Sequence, residues 1–166
     1  MSANSRFTLA VHALCWIELA ARRGESPLSS ERVAASLGND AAAVRRLLAP
    51  LRDTELVAAD RGPGGGWVLT RPAEAISLED VWSALDELDL FSMHTRDPNL
   101  ECPVGHGIRP TLAEVYQDVD EAVRHSLRTR TVAGLLDTIL DQLPLPGTEA
   151  GASPGLRLGA SRSGPC

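Results

Sequence analysis

The 166-residue chain contains no lysine; all 16 of its basic side chains are arginine. A phosphate-cradling loop of the GxxxxGK[ST] type is therefore excluded, because its lysine is what reaches the phosphates. No apolar run reaches the ~18–20 residues that a spanning helix requires. The N-terminus lacks a basic region followed by a signal-peptide core, so a cytoplasmic protein with no membrane partner is expected. The three cysteines, Cys15, Cys102 and Cys166, are widely spaced. They make no secreted disulfide framework, and reduced thiols are the default. No internal repeat is found.

What is present suits one folded domain with appendages: 43% of the residues are hydrophobic, enough for a core. The net charge of −6 is unevenly distributed. Residues 1–71 carry nine arginines against seven acids, a net of +2, whereas residues 72–143 carry five against fourteen, a net of −9. For a nucleic-acid binder the distribution matters more than the sum. This one points to contact through a small local set of arginines in the first half, with an acidic remainder limiting nonspecific adhesion.

The chain is organised around LVAADRGPGGGWVLTR, Leu56 to Arg71. Leu56–Ala59 and Trp67–Thr70 read as strands, with a hairpin loop between them. Gly62, Pro63, Gly64, Gly65 and Gly66 permit positive φ and a tight reversal, and Arg61 sits at the edge of the tip. An ordinary hairpin would need similar residues, so the upstream helices decide the meaning. Phe7–Arg22 is apolar almost all round and is expected to be sandwiched on two sides. Ser29–Leu37 reads as a second helix with Ser29 as N-cap. Gly38 makes a turn, and Asn39 or Asp40 caps a third helix running to Thr54. Val44, Leu47, Leu48 and Leu51 give it a core-facing stripe, from which Arg45, Arg46 and Arg52 are displaced toward solvent. Pro50 inside that helix removes an N–H and is expected to kink it. A short helix, a glycine turn and an amphipathic helix make a helix-turn-helix, and the hairpin after it makes a wing. In such a reader one helix enters the major groove while the wing touches backbone or minor groove.

Beyond the wing, Ser77–Leu85 reads as a fourth helix with a capping box from Ser77 and Asp80. Residues 86–107 read as a long irregular loop holding His94, Cys102 and His106; such loops are usually functional. From Ile108 a long amphipathic helix runs to about Arg128, its stripe made by Ile108, Leu112, Val115, Tyr116, Val119, Val123 and Leu127. It needs another surface to bury that stripe, and a twofold partner is the simplest supply. Residues 131–143 continue or restart the helix, with Leu135, Leu136, Ile139 and Leu140 expected to close over the partner's first helix. Residues 144–166, rich in Pro, Gly, Ser and Ala, read as a disordered tail that leaves Cys166 a bystander.

The expected organisation is thus mainly α with a small β-hairpin wing: a winged helix-turn-helix over residues 1–85, a sensor loop over 86–107, dimerisation helices over 108–143 and a tail over 144–166. RGPGGGWVLTRPAEAISLEDVWSAL resembles the signature of the IscR, NsrR and CymR-type regulators, the Rrf family of dimeric bacterial winged-helix repressors, and the resemblance covers about residues 3–143. It implies a homodimer bridged by the long helix and a double-stranded operator of two half-sites, read by the third helix and the wing. It implies that Arg61, with Gly64 and Gly65 shaping the wing, reaches the minor groove, where a narrow A·T-rich tract attracts a guanidinium. Ala42, Arg45 and Arg46 match the face that the family uses for base contacts. Arg45 and Arg46 can pair with guanine O6 and N7, whereas Ala42 has no donor to give.

Many members of that family hold an iron–sulfur cluster on three cysteines in the loop before the long helix. Here that loop has only Cys102, so no three-cysteine site exists within one subunit and no cofactor is expected. A cluster or a zinc ion would need ligands from across the dimer, or His12 and His94 beside the Cys102–x3–His106 pair. The sequence is closer to single-cysteine members, which respond to oxidants or electrophiles through the thiol. Cys102 lies before a helix N-terminus that would lower its pKa, and Cys15 of the other subunit is the candidate partner for it. The other reading of Cys15 is a small buried apolar residue. An enzyme using Cys102 as nucleophile and His94 or His106 as base lacks a substrate pocket, an orienting acid and a cofactor motif. A protein-binding adaptor would leave Arg45, Arg46 and Arg61 unexplained.

Overall fold

The computed structural model describes residues 3–60, 62, 64–85, 91–93 and 95–142. The expected tail, Cys166, His94, Pro63 and Arg61 lie outside the described residues. The elements follow in the order α1 (Ala3–Arg22), α2 (Ser30–Leu37), α3 (Ala41–Asp53), β1 (Val57–Ala59), β2 (Trp67–Leu69), a 3-10 turn (Ala73–Ala75), α4 (Leu78–Ala84), α5 (Pro103–Arg128) and α6 (Val132–Gln142). The outcome is mainly α with a two-stranded antiparallel sheet, as the sequence implies.

Helix α1 is the hub. Ala10, Ala13, Leu14, Ile17 and Ala20 are all but fully buried, and the helix touches α2, α3, α4, α6 and β2. That accounts for its lack of a polar face, since neighbours cover it on several sides. It starts four residues before Phe7, at Ala3.

The helix-turn-helix is built by capping. The Ser29 side chain accepts from the Arg32 amide at 3.3 Å, and Gly38 closes α2 in the left-handed region at φ 64°. The Asp40 carboxylate then accepts from the Ala43 amide at 2.7 Å to start α3. Such caps satisfy helix-end amides that otherwise have no partner. Val44, Leu47, Leu48 and Leu51 are buried, as the stripe predicts. Pro50 does not end α3, which runs on to Asp53; it lies one turn before the end, where Thr54 donates both its amide and its hydroxyl back to the Pro50 carbonyl at 3.1 Å.

The linker into β1 turns at Glu55, a non-glycine residue at φ 57°. Two hydrogen bonds hold it, Glu55 N to Arg52 O at 3.0 Å and Leu56 N to Leu51 O at 2.8 Å. The strands pair Val57 with Leu69, Ala58 with Val68 and Ala59 with Trp67.

Helix α4 opens with the expected capping box: the Ser77 amide donates to the Asp80 carboxylate at 2.8 Å and the Asp80 amide donates to the Ser77 hydroxyl at 3.1 Å. Asp80 also pairs with Arg71 at 3.0 Å, which ties the segment after the wing to α4.

Two expectations about the C-terminal half are corrected. Helix α5 begins at Pro103, not Ile108, so five residues assigned to the loop are helical. Proline suits a first helical turn, where its missing N–H costs nothing. Gly105 is required there because a Cβ would meet the Asn99 carbonyl oxygen at 2.1 Å. Helix α6, in turn, packs on its own chain's α1 rather than waiting for a partner's. Val132, Ala133 and Leu136 are buried in the same core, and Arg22 of α1 pairs with Asp137 of α6. The turn before α6 is held by Leu78 N to Arg130 O at 2.8 Å and Val132 N to Ile76 O at 2.9 Å. These bonds turn the chain back to the core after α5.

Candidate nucleic-acid interface

Ala42, Arg45 and Arg46 stand three and four positions apart on α3, so they share one helical face. All three are exposed, while the stripe of Val44, Leu47, Leu48 and Leu51 faces the core. The face thus offers two guanidinium groups and one methyl. Arg45 lies 3.9 Å from Glu31 of α2, a loose pair in which both side chains are more than half exposed. Arg46 has no ion-pair partner among the described residues. Arg52, the third arginine displaced from the stripe, is turned back on its neighbour Asp53 at 2.8 Å.

In the wing, Asp60 and Gly66 exchange backbone bonds at 2.7 and 3.1 Å, and Gly65 N bonds Gly62 O at 2.9 Å. Gly64 has φ 80°, a conformation that L side chains rarely adopt. Gly65 is needed for space, since a Cβ would lie 2.4 Å from the Asp60 carbonyl oxygen. Positions 64 and 65 are therefore suited to glycine alone.

The two candidate sensor cysteines sit in opposite environments. Cys102 is exposed and occupies the N-cap of α5. Its sulfur makes no capping hydrogen bond, yet the amides of Gly105 and Val104 beside it draw the thiol pKa down. Cys15 is buried, with Sγ 3.9 Å from the Val132 carbonyl oxygen. Burial pushes its pKa up from 9.0 to about 11. That placement supports the reading of Cys15 as a small apolar residue sealing α1 against α6, rather than the candidate partner of Cys102.

Two groups missed in the sequence belong to this frame. Arg124 of α5 bonds Asp120 at 2.6 Å and Glu79 of α4 at 3.1 Å, and it holds the long helix to the domain. Its signal was the i,i+4 spacing to Asp120; nothing local pointed to Glu79. Ser30 and Trp67, read only as helix and strand residues, meet across the wing base at 3.0 Å.

A capped helix-turn-helix whose second helix exposes paired arginines, followed by a glycine-tipped hairpin, defines a winged helix-turn-helix DNA-binding regulator. Residues 3–138 match the family model described as Rrf2, iron-dependent transcriptional regulator; the chain belongs to the Rrf2 family. YwnA of Bacillus subtilis is 30% identical over 135 residues, 81% of this chain and 96% of that protein. The HTH-type transcriptional regulator IscR of Erwinia tasmaniensis is 38% identical over 140 residues, 82% of this chain and 79% of the relative. Among solved structures, CymR, the global cysteine regulator of B. subtilis, superposes with a TM-score of 0.56 at 26% identity, covering 79% of this chain and 95% of its own. IscR of T. potens superposes with a TM-score of 0.60 at 23% identity, covering 88% and 90%. The family and these relatives are transcriptional regulators, not enzymes. No helix among the described residues is long and apolar enough to cross a membrane.

The family description implies iron. The donors here do not fit it within one chain: among the described residues no three His, Cys, Asp or Glu side chains gather where a metal ion could be held. The segment before α5 offers one thiol, and His106 is exposed four residues beyond it.

Proposed function

We propose that two copies of this chain form a cytoplasmic repressor that reads a twofold-symmetric operator, and that the Cys102 thiol makes its affinity responsive to oxidants or electrophiles. Arg45 and Arg46 of each copy read guanines in the major groove, and Arg61, at the edge of the wing, enters the flanking minor groove. The observation that carries the dimer is α5. Its 26 residues make a rod about 39 Å long, yet not one of them is buried and Val115 is 48% exposed. An amphipathic helix of that length, held to its own domain through the short α4, needs a second apolar stripe, and a twofold copy supplies it.

Cys102 sits at the base of that helix. A thiolate there attacks a peroxide, taking one oxygen as sulfenate and releasing water or an alcohol. The altered charge and size at the N-terminus of α5 then bias the pairing of the two copies. That CymR of Staphylococcus aureus has been solved in an oxidised form is consistent with such a response.

The test has two arms. Sedimentation of the wild type should give a dimer, and Val115→Glu should give a folded monomer that loses operator binding; a wild-type monomer would end the proposal. Operator binding with and without hydrogen peroxide should change in the wild type and stay constant in Cys102→Ser. An equal response in both proteins would remove Cys102 as the switch.

A further inference from the structure

We infer that Trp67 and Ser30 form a positioning pair that fixes the wing's angle against the recognition helix, and that operator affinity depends on that lock. The inference rests on the DNA-binding reading above and adds residues that touch no DNA.

The hairpin strands pack on α1 and α3, and two further connections hold the wing. One is covalent: β1 leaves α3 through the turn at Glu55. The other is the contact between β2 and the segment before α2. There Leu28 and Trp67 exchange backbone bonds, Leu28 N to Trp67 O at 3.0 Å and Trp67 N to Leu28 O at 2.8 Å. Gly66 lets the strands approach this closely, because a Cβ at that position would lie 2.5 Å from the Leu28 carbonyl. A single bridged pair of residues fixes a line of contact but not rotation about it. Packing of the strands on α1 and α3 limits that rotation without a directional bond.

A third bond supplies the directional restraint. The Trp67 indole N–H donates to Ser30 Oγ at 3.0 Å, linking residues 37 positions apart. Trp67 is only 5% exposed, so its ring is set in the core and cannot follow an independent motion of the wing. Ser30 is the first residue of α2, and α2 packs along α3. The indole thus ties the wing to the helix-turn-helix as a rigid unit. Of the chain's three tryptophans, Trp16 and Trp82 bury their indole N–H with no hydrogen-bond partner among the described residues. Only that of Trp67 meets a hydroxyl. Ser30 has no competing duty either, because the cap of α2 is supplied by Ser29.

The two halves of the pair can therefore be cut separately with little cost to folding. Ser30→Ala keeps the cap and suits a helix start. Trp67→Phe keeps an aromatic ring in the core but removes the donor. With a duplex selected from a randomised library by the wild-type protein, each variant should bind roughly three- to tenfold more weakly, the range of one net hydrogen bond. The double variant should lose no more than either single one. Hydroxyl-radical footprints should keep the major-groove protection and lose protection where the wing lies. In the free protein, amide exchange across residues 57–69 should rise roughly fivefold while that of α1 stays unchanged.

Unchanged hairpin exchange in both variants would overturn the lock. Faster exchange with wild-type affinity and footprint would overturn its functional role while leaving the operator reading intact. A wild-type protein that selects no duplex would overturn the operator reading and this inference together.

Discussion

Arg45 and Arg46 are one residue apart, yet their surroundings predict different behaviour on DNA. A bidentate arginine–guanine pair is worth about 1–3 kcal/mol, or roughly fivefold to 150-fold in affinity per half-site. Arg46 enters such a contact without breaking anything seen among the described residues, so Arg46→Ala should show that loss in full. Arg45 first leaves Glu31, 3.9 Å away. Both partners are more than half exposed, and such surface pairs contribute little because solvent screens them. Arg45→Ala should therefore cost up to about twofold less than its bare contact would. Glu31→Gln should tighten binding by up to about twofold, and only where Arg45 is present, since it removes both a competitor for the guanidinium and a negative charge near phosphates. The assay is fluorescence anisotropy on a selected duplex and on an unrelated duplex, across a salt series. Loss of a base-reading arginine lowers specific affinity and leaves the unrelated duplex nearly unaffected; loss of a phosphate contact weakens both and reduces the salt slope by about one. Uniform weakening on both duplexes, or wild-type affinity in both alanine variants, would refute the assignment of base contacts to this face.

Three further outcomes follow from side-chain environments. Cys15 has its pKa raised from 9.0 to about 11 in the folded chain. Between those values the unfolded chain binds fewer protons than the folded one, so stability falls as pH rises through that window, by about 2–3 kcal/mol; denaturant titrations at pH 8 and pH 11 should show this fall reduced in Cys15→Ala. Because the Cys102 thiol pKa is drawn down and Cys102 is exposed, iodoacetamide at neutral pH should label Cys102 while Cys15 stays unmodified until the protein unfolds; equal labelling rates in native protein would contradict both environments. Arg124→Ala leaves Glu79, 18% exposed in its side chain, without its cation, and should cost about 1–3 kcal/mol in urea unfolding; a change below about 0.3 kcal/mol would show that α5 is held to α4 by other contacts.

The readable parts of this chain are those set by neighbours in sequence. The Ser29 and Asp40 caps, the Gly38 turn, the Ser77–Asp80 box and the buried stripe of α3 each depend on groups within four or five positions, and the residue types announce them. The hairpin was legible for the same reason: Gly64 needs a positive φ and Gly65 needs space beside Asp60. The start of α5 was not, because Pro103, Gly105 and Gly107 read as loop residues. Pro103 is in fact the helix's first residue, and Gly105 is set by its contact with Asn99.

By itself the sequence determined the class of element at nearly every position, the solvent-facing side of α3 and the absence of a three-cysteine site before α5. Only the tertiary structure decided which thiol is available, since burial of Cys15 against Val132 crosses more than a hundred positions. It alone decided that α6 folds back on its own α1, and that Trp67 reaches Ser30. Local order follows from capping and periodicity, which act over a turn or two of chain. A pKa, a clamp or a lock arises where distant segments meet, and no spacing within one segment encodes that meeting.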